Sequence, residues 1–143
     1  MYVCIRHNNA FASPHDLADS LIHEHRHQKL YLLEEFSPVI TSNFPYVSSP
    51  WRKEPRPVSG LFHAAFVFNE LEKFWHYLSL RESGSLLEKA LRETRKNQRM
   101  LKESFLTLEK CPLTDLGKAF LQIFKKELEH DYNLTTLQTV YAS

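Results

Sequence analysis

The sequence has three glycines in 143 residues, too few for the many tight turns of a β-sandwich or barrel. It has two cysteines, Cys4 and Cys111. They form no metal-type pair, exclude a disulfide framework and fit a reducing cytoplasm, which is the expected localisation. No apolar run approaches the roughly 18 residues of a membrane span, and Met1–Ala10 holds none of signal-peptide length. An excess of one charge is also absent. Eighteen Lys and Arg offset seventeen Asp and Glu, for a net charge of +1. That balance excludes a general electrostatic grip on nucleic acid or anionic membrane. What remains is an apolar fraction of 43%, ten Phe and eight His. This composition supports one core in one domain spanning residues 1–143.

Proline and serine divide the chain. Met1–Ile5 is β-branched and aromatic and reads as one short strand or as the tail of an upstream element. Ser13-Pro14-His15-Asp16 is a helix start: a serine cap, proline at the first helical position and an acid at the third. Nothing breaks that helix before about Phe36. Five prolines then fall between Ser37 and Ser59, which forbids a regular helix. Phe44, Tyr46 and Trp51 mark this segment as an ordered loop that packs down. A second helix runs from Val58 or Ser59 to about Leu80. Ser83-Gly84-Ser85 breaks the chain, and Ser85-x-x-Glu88 reads as a capping box opening a third helix to about Glu109. Thr114 caps a fourth, to about His130, with Leu116, Ala119, Phe120, Ile123, Phe124 and Leu128 on one face. The expected fold is mainly α. Four helices and one long loop fall into a half at 13–80 and a helical hairpin half at 84–130. The basic run Arg92–Lys102 reads as a solvated helix face.

The first helix carries His23-Glu24-His25-Arg26-His27, an H-E-x-x-H string. Residues i and i+4 lie about 40° apart around a helix, one turn apart along it. The His23 and His27 imidazoles can therefore converge on one cation at about 2 Å. Glu24 lies about 100° round the axis, beside a metal but not bound to it. On the helical wheel the sector of His23 and His27 (with Asp16, Asp19, Ser20, Leu30 and Glu34) is mostly polar. Leu17, Ala18, Leu21, Ile22 and Leu32 form the apolar sector. His25 turns to that sector and reads as structural. The third ligand has two candidates on the second helix. His23, His27 and Glu70 would make a two-histidine, one-glutamate zinc peptidase pattern. His23, His27 and His63 would make a three-imidazole site suited to zinc or iron; His76 lies further along the same helix. Arg52 and Arg56, in the proline-stiffened Pro50–Pro57 segment, are candidates for a carboxylate fork.

The order LIHEHRHQKL, then PWRKEPRP, then GLFHAAF resembles the HExxH-motif peptide-modification family, found beside biosynthetic clusters for ribosomally made, modified peptides. The resemblance spans about Ser13 to Leu78. It implies an iron(II)- and 2-oxoglutarate-dependent oxygenase that hydroxylates a carbon of a peptide side chain. Carried over by motif, His23, His27 and His63 are the implied metal ligands, and Arg52 and Arg56 the implied 2-oxoglutarate-binding arginines. Family chains are usually longer before the HExxH helix and often carry Gly where this chain has Ala64. A homodimer or a separately encoded partner is accordingly expected, with surplus apolar surface on the third and fourth helices.

Glu24 and Arg56 separate the function classes. In an oxygenase Glu24 would orient a ligand histidine or a water, and an arginine would hold the distal carboxylate of 2-oxoglutarate. In a zinc peptidase Glu24 would be the general base on metal-bound water. A non-catalytic, degenerate interaction module is the third class.

Overall fold

A computed structural model describes residues 13–142, with side chains through residue 137. The strand expected at Met1–Ile5, and Cys4, lie outside the described residues. The architecture is mainly helical. Its elements are α1 (Pro14–Phe36), β1 (Val47–Ser49), β2 (Arg52–Arg56), α2 (Val58–Ser79), α3 (Gly84–Leu108) and α4 (Asp115–Ala142). No helix among the described residues is long and apolar enough to cross a membrane.

Helix α1 starts where the sequence places it. The Ser13 hydroxyl accepts from the Asp16 amide at 3.3 Å, and Pro14 follows at the first position. The proline-rich segment holds an element the sequence reading did not contain. β1 and β2 pair as an antiparallel hairpin, with Val47 opposite Arg56 and Ser49 opposite Arg52. The capping box at Ser85 does not form. Helix α3 begins one residue earlier, at Gly84, whose φ of 65° is left-handed, behind Ser83 in the cap position without a side-chain cap. Helix α4 runs past the expected stop at His130, because no proline or glycine follows to end it.

Helix α2 is the centre of the molecule, with fifteen of its 22 residues buried. One continuous core joins Leu30 of α1 and Val39 of the loop to Leu61, Phe62 and Phe66 of α2. It continues through Leu101 and Phe105 of α3 to Leu121 and Phe124 of α4. Both halves of the chain share it. On α4 the buried stripe is Gly117, Leu121, Phe124 and Leu128, while Ala119 and Ile123, expected inside, are exposed.

On α1 it is the histidine side, more than the apolar sector, that packs on α2. Arg26 and Leu30 are its buried residues, whereas Leu17, Leu21 and Leu32 are 39%, 45% and 59% exposed. His25 is exposed as well. The polar sector faces α2 because α2 supplies it with partners. Arg26 Nε donates to the Phe66 carbonyl at 3.0 Å, with its guanidinium carbon 3.7 Å from the Phe66 ring centre. Trp75 Nε1 donates to Asp19 Oδ2 at 2.7 Å, and Lys89 of α3 reaches Asp16 Oδ1 at 2.6 Å. Burial pushes the Asp19 carboxyl up from its usual range, and the indole bond opposes that shift. Replacing Trp75 with Phe leaves this half-buried carboxyl without its donor. It should cost about 1–3 kcal/mol in chemical denaturation; an unchanged midpoint would show that the bond contributes nothing.

Candidate metal and anion site

The i, i+4 spacing on α1 brings the His23 and His27 rings to 5.0 Å between centroids. The hairpin ends at Arg56, and Val58 opens α2 directly after it. The first turns of α2 then carry His63 to His27, with Nδ1 to Nδ1 at 3.4 Å and the rings stacked at 5.7 Å. Two ligands at about 2.1 Å from one ion, at a tetrahedral angle, lie about 3.4 Å apart. The His27–His63 separation suits a shared cation. Tyr31, one turn beyond His27, packs its ring 4.6 Å from His63.

All three imidazoles are held toward the neutral form that ligates metals. Burial is the main cause for each. His27 is pushed down to about 4, with His23, His63 and Arg56 adding to the effect of burial. His23 and His63 are also lowered, His63 against the opposing influence of Glu34.

Glu34 is the residue the sequence reading missed as a participant. Its Oε1 lies 2.8 Å from His63 Nε2. The signal was present, since His27, Tyr31 and Glu34 follow i, i+4, i+7 along one helical stripe. Glu34 lies on the histidine sector of the helical wheel, but its contact with His63 depends on the packing of α2.

Among the described residues no group of three or more His, Cys, Asp or Glu is arranged to hold a metal ion. The three imidazoles form a row, His23 to His27 to His63, rather than a closed ring of donors. As a donor set, three imidazoles with a carboxylate beside them fit iron(II) or zinc. Glu70, the other candidate third ligand, exerts its charge on Arg26. Glu24 accepts a hydrogen bond from Gln28 at 3.5 Å, and its charge is felt by His23 and His27.

Arg56 is half-buried and its charge bears on both His27 and His63. Its guanidinium lies across the first turn of α2, where Gly60 leaves room. A Cβ at position 60 would stand 2.9 Å from Arg56 Nε and 3.0 Å from Nη2. Burial and the neighbouring Arg52 lower its pKa, Arg52 itself being exposed. Trp51, between the two strands, stacks on Phe68 of α2 at 4.8 Å and fastens the hairpin there. The hairpin thus delivers a partly buried guanidinium whose charge bears on the imidazole row.

No protein-family model and no curated protein matches this chain.

Proposed function

We propose that the chain is an iron(II)- and 2-oxoglutarate-dependent oxygenase that hydroxylates a side chain of a ribosomally made peptide. The observation that carries this reading is Arg56. Its half-buried guanidinium lies over Gly60, with its charge felt by two neutral imidazoles that face each other at 3.4 Å. A carboxylate-bearing co-substrate that must reach a metal needs such an arrangement: neutral nitrogen donors and a cationic fork beside them.

His23, His27 and His63 would hold the iron, and bound iron(II) would supply the coordination positions and redox chemistry for 2-oxoglutarate and O2. Glu34 would orient His63 through its other ring nitrogen, fixing the tautomer. Arg56 would bind the distal carboxylate of 2-oxoglutarate, with Arg52 adding positive charge from the exposed side. Glu24 would act from the rim of the site, on a ligand histidine or a water. The exposed Tyr31, Phe44 and Tyr46 would offer aromatic surface to a peptide. The zinc peptidase reading has less support, since of the two candidate third ligands it is His63 that stands against His27.

The test is anaerobic loading with iron(II), followed by 2-oxoglutarate binding and turnover to succinate. The reading expects metal-dependent 2-oxoglutarate binding. Zinc-dependent peptide cleavage with no 2-oxoglutarate binding would replace it with the peptidase, and failure to bind either metal would favour the interaction module. Arg56→Ala should weaken 2-oxoglutarate binding by roughly ten- to a hundredfold, the equivalent of about 1.5–3 kcal/mol for a charge-assisted contact. Gly60→Ala should weaken it several-fold in the same titration by pushing the guanidinium aside, without unfolding the chain. Equal affinity in both variants would remove Arg56 from the site.

A further inference from the structure

Helix α2 buries a carboxyl that the histidine row does not use. Glu72 lies nine residues after His63, about half a turn round the helix axis from it, and meets α3 and α4. It is 1% exposed, and Asp131 of α4 is 9% exposed. The two carboxyls are hydrogen-bonded to each other. Ionised carboxylates only accept, so that bond exists only while one of the two carries a proton. Gln98 of α3 donates to Glu72 Oε1 at 2.9 Å and to Thr135 Oγ1 at 3.1 Å. The Thr135 hydroxyl donates to the Asp131 carbonyl at 2.9 Å. Beyond Leu128, Asp131 and Thr135 are the buried side chains of α4 among the described residues. That end of the helix is fastened by polar contacts around one shared proton rather than by buried apolar residues.

Each helix packed around the pair brings its own charges. On α2, Lys73 is ion-paired with Glu127 of α4, and His76 Nε2 stands 3.7 Å from Asp131 Oδ1. On α4, Lys126 and His130 line the cleft through which Asp131 meets solvent. On α3 the facing group is the neutral amide of Gln98, while Arg95 and Lys102 are exposed on that helix. Burial first, then the hydrogen bond to Asp131, pushes the Glu72 carboxyl up to about 9, against the opposing effects of Gln98 and Lys73.

We propose that the buried Glu72–Asp131 carboxyl pair is a proton-dependent catch, which holds the end of α4 on α2 and α3 and lets it go as pH rises. When the proton leaves for water through the cleft, the bond between the carboxyls is lost. Two like charges then face each other in a buried site, and separating the helices is the way to hydrate them. The sign follows from linkage. The folded-state value of Glu72 lies above its ordinary 4.5, so its stabilising contribution is complete below 4.5 and is lost as pH rises toward 9. His76 has the opposite sign. Burial lowers it, so its effect appears as pH falls below its ordinary 6.5. Between pH 7 and 9 the carboxyl pair titrates and His76 does not. The catch is independent of the oxygenase reading, since it uses none of the α1 histidines.

The test unfolds the full chain in urea at pH 7 and at pH 9, beside Glu72→Gln and Asp131→Asn. In either variant an amide N–H donates to the remaining carboxylate, so the pair no longer needs a proton. Between the two pH values the unfolding constant of the unsubstituted chain should rise at least about tenfold more than that of either variant, the equivalent of about 1.36 kcal/mol. Chymotrypsin cleavage after the exposed Tyr132 reads α4 itself. At pH 9 it should be faster in the unsubstituted chain than in the variants, and at pH 7 it should be equal. A smaller difference in unfolding, or equal cleavage at pH 9, would overturn the catch. The two variants remove different carboxyls, so either one that folds carries the comparison.

Discussion

Replacing His63 with alanine is expected to abolish iron(II) retention by the anaerobically loaded protein, and 2-oxoglutarate binding with it. His63 reaches His27 across two helices at 3.4 Å, so its loss leaves only donors from α1. The effect should exceed the roughly 10–100-fold that loss of an outer-contact residue costs. Glu34→Ala should fall within that smaller range, because its carboxylate meets the other nitrogen of the His63 ring. Iron content after desalting and 2-oxoglutarate affinity measure both variants. The pair discriminates between roles. A Glu34→Ala chain as devoid of iron as His63→Ala would make Glu34 itself a ligand, and a His63→Ala chain with full iron would dismiss the site.

Gly117→Ala should destabilise the protein by about 1–3 kcal/mol, the range for overpacking a close contact. A Cβ there would meet the Val39 carbonyl oxygen at 2.0 Å and its carbon at 3.0 Å. That carbonyl accepts from the Thr114 amide at 3.0 Å, and the Thr114 hydroxyl donates to the Pro38 carbonyl at 2.7 Å. The loop after α1 is therefore laid directly on the first turn of α4, and the obstruction is backbone, which cannot rotate away. The sign makes the test sharp. Helix propensity alone predicts that alanine in place of glycine stabilises a helix by up to about 1 kcal/mol. A denaturation midpoint that rises would mean the loop does not lie against Gly117. A midpoint that falls, with faster exchange of the Thr41 and Thr114 amides, is the expected result.

The histidine row shows how far local pattern reaches. Spacing alone puts His23 and His27 on one side of a helix, since helical geometry needs no information from the rest of the chain. Spacing did not show which way that side faces. The polar sector reads as solvent-facing by the usual rule, yet it is the side packed on α2, while Leu17, Leu21 and Leu32 stay largely exposed. The rule fails because Arg26, Asp19 and His27 each find a partner on α2, which makes their burial tolerable. The contacts of Arg26 with Phe66 and of Asp19 with Trp75 join residues 40 and 56 positions apart.

The sequence by itself determined the start of α1 at Ser13 and Pro14, the absence of helix from Ser37 to Pro57, and the beginning of α2 after Pro57. Each is a property of a few adjacent residues: a hydroxyl cap, or a ring that removes an amide donor. The tertiary structure alone decided the hairpin that carries Arg56 to the histidines, the choice of His63 over Glu70 as neighbour to His27, and the contact of Glu34. These depend on how helices pack side by side, and packing is selected by the sum of contacts over the whole core.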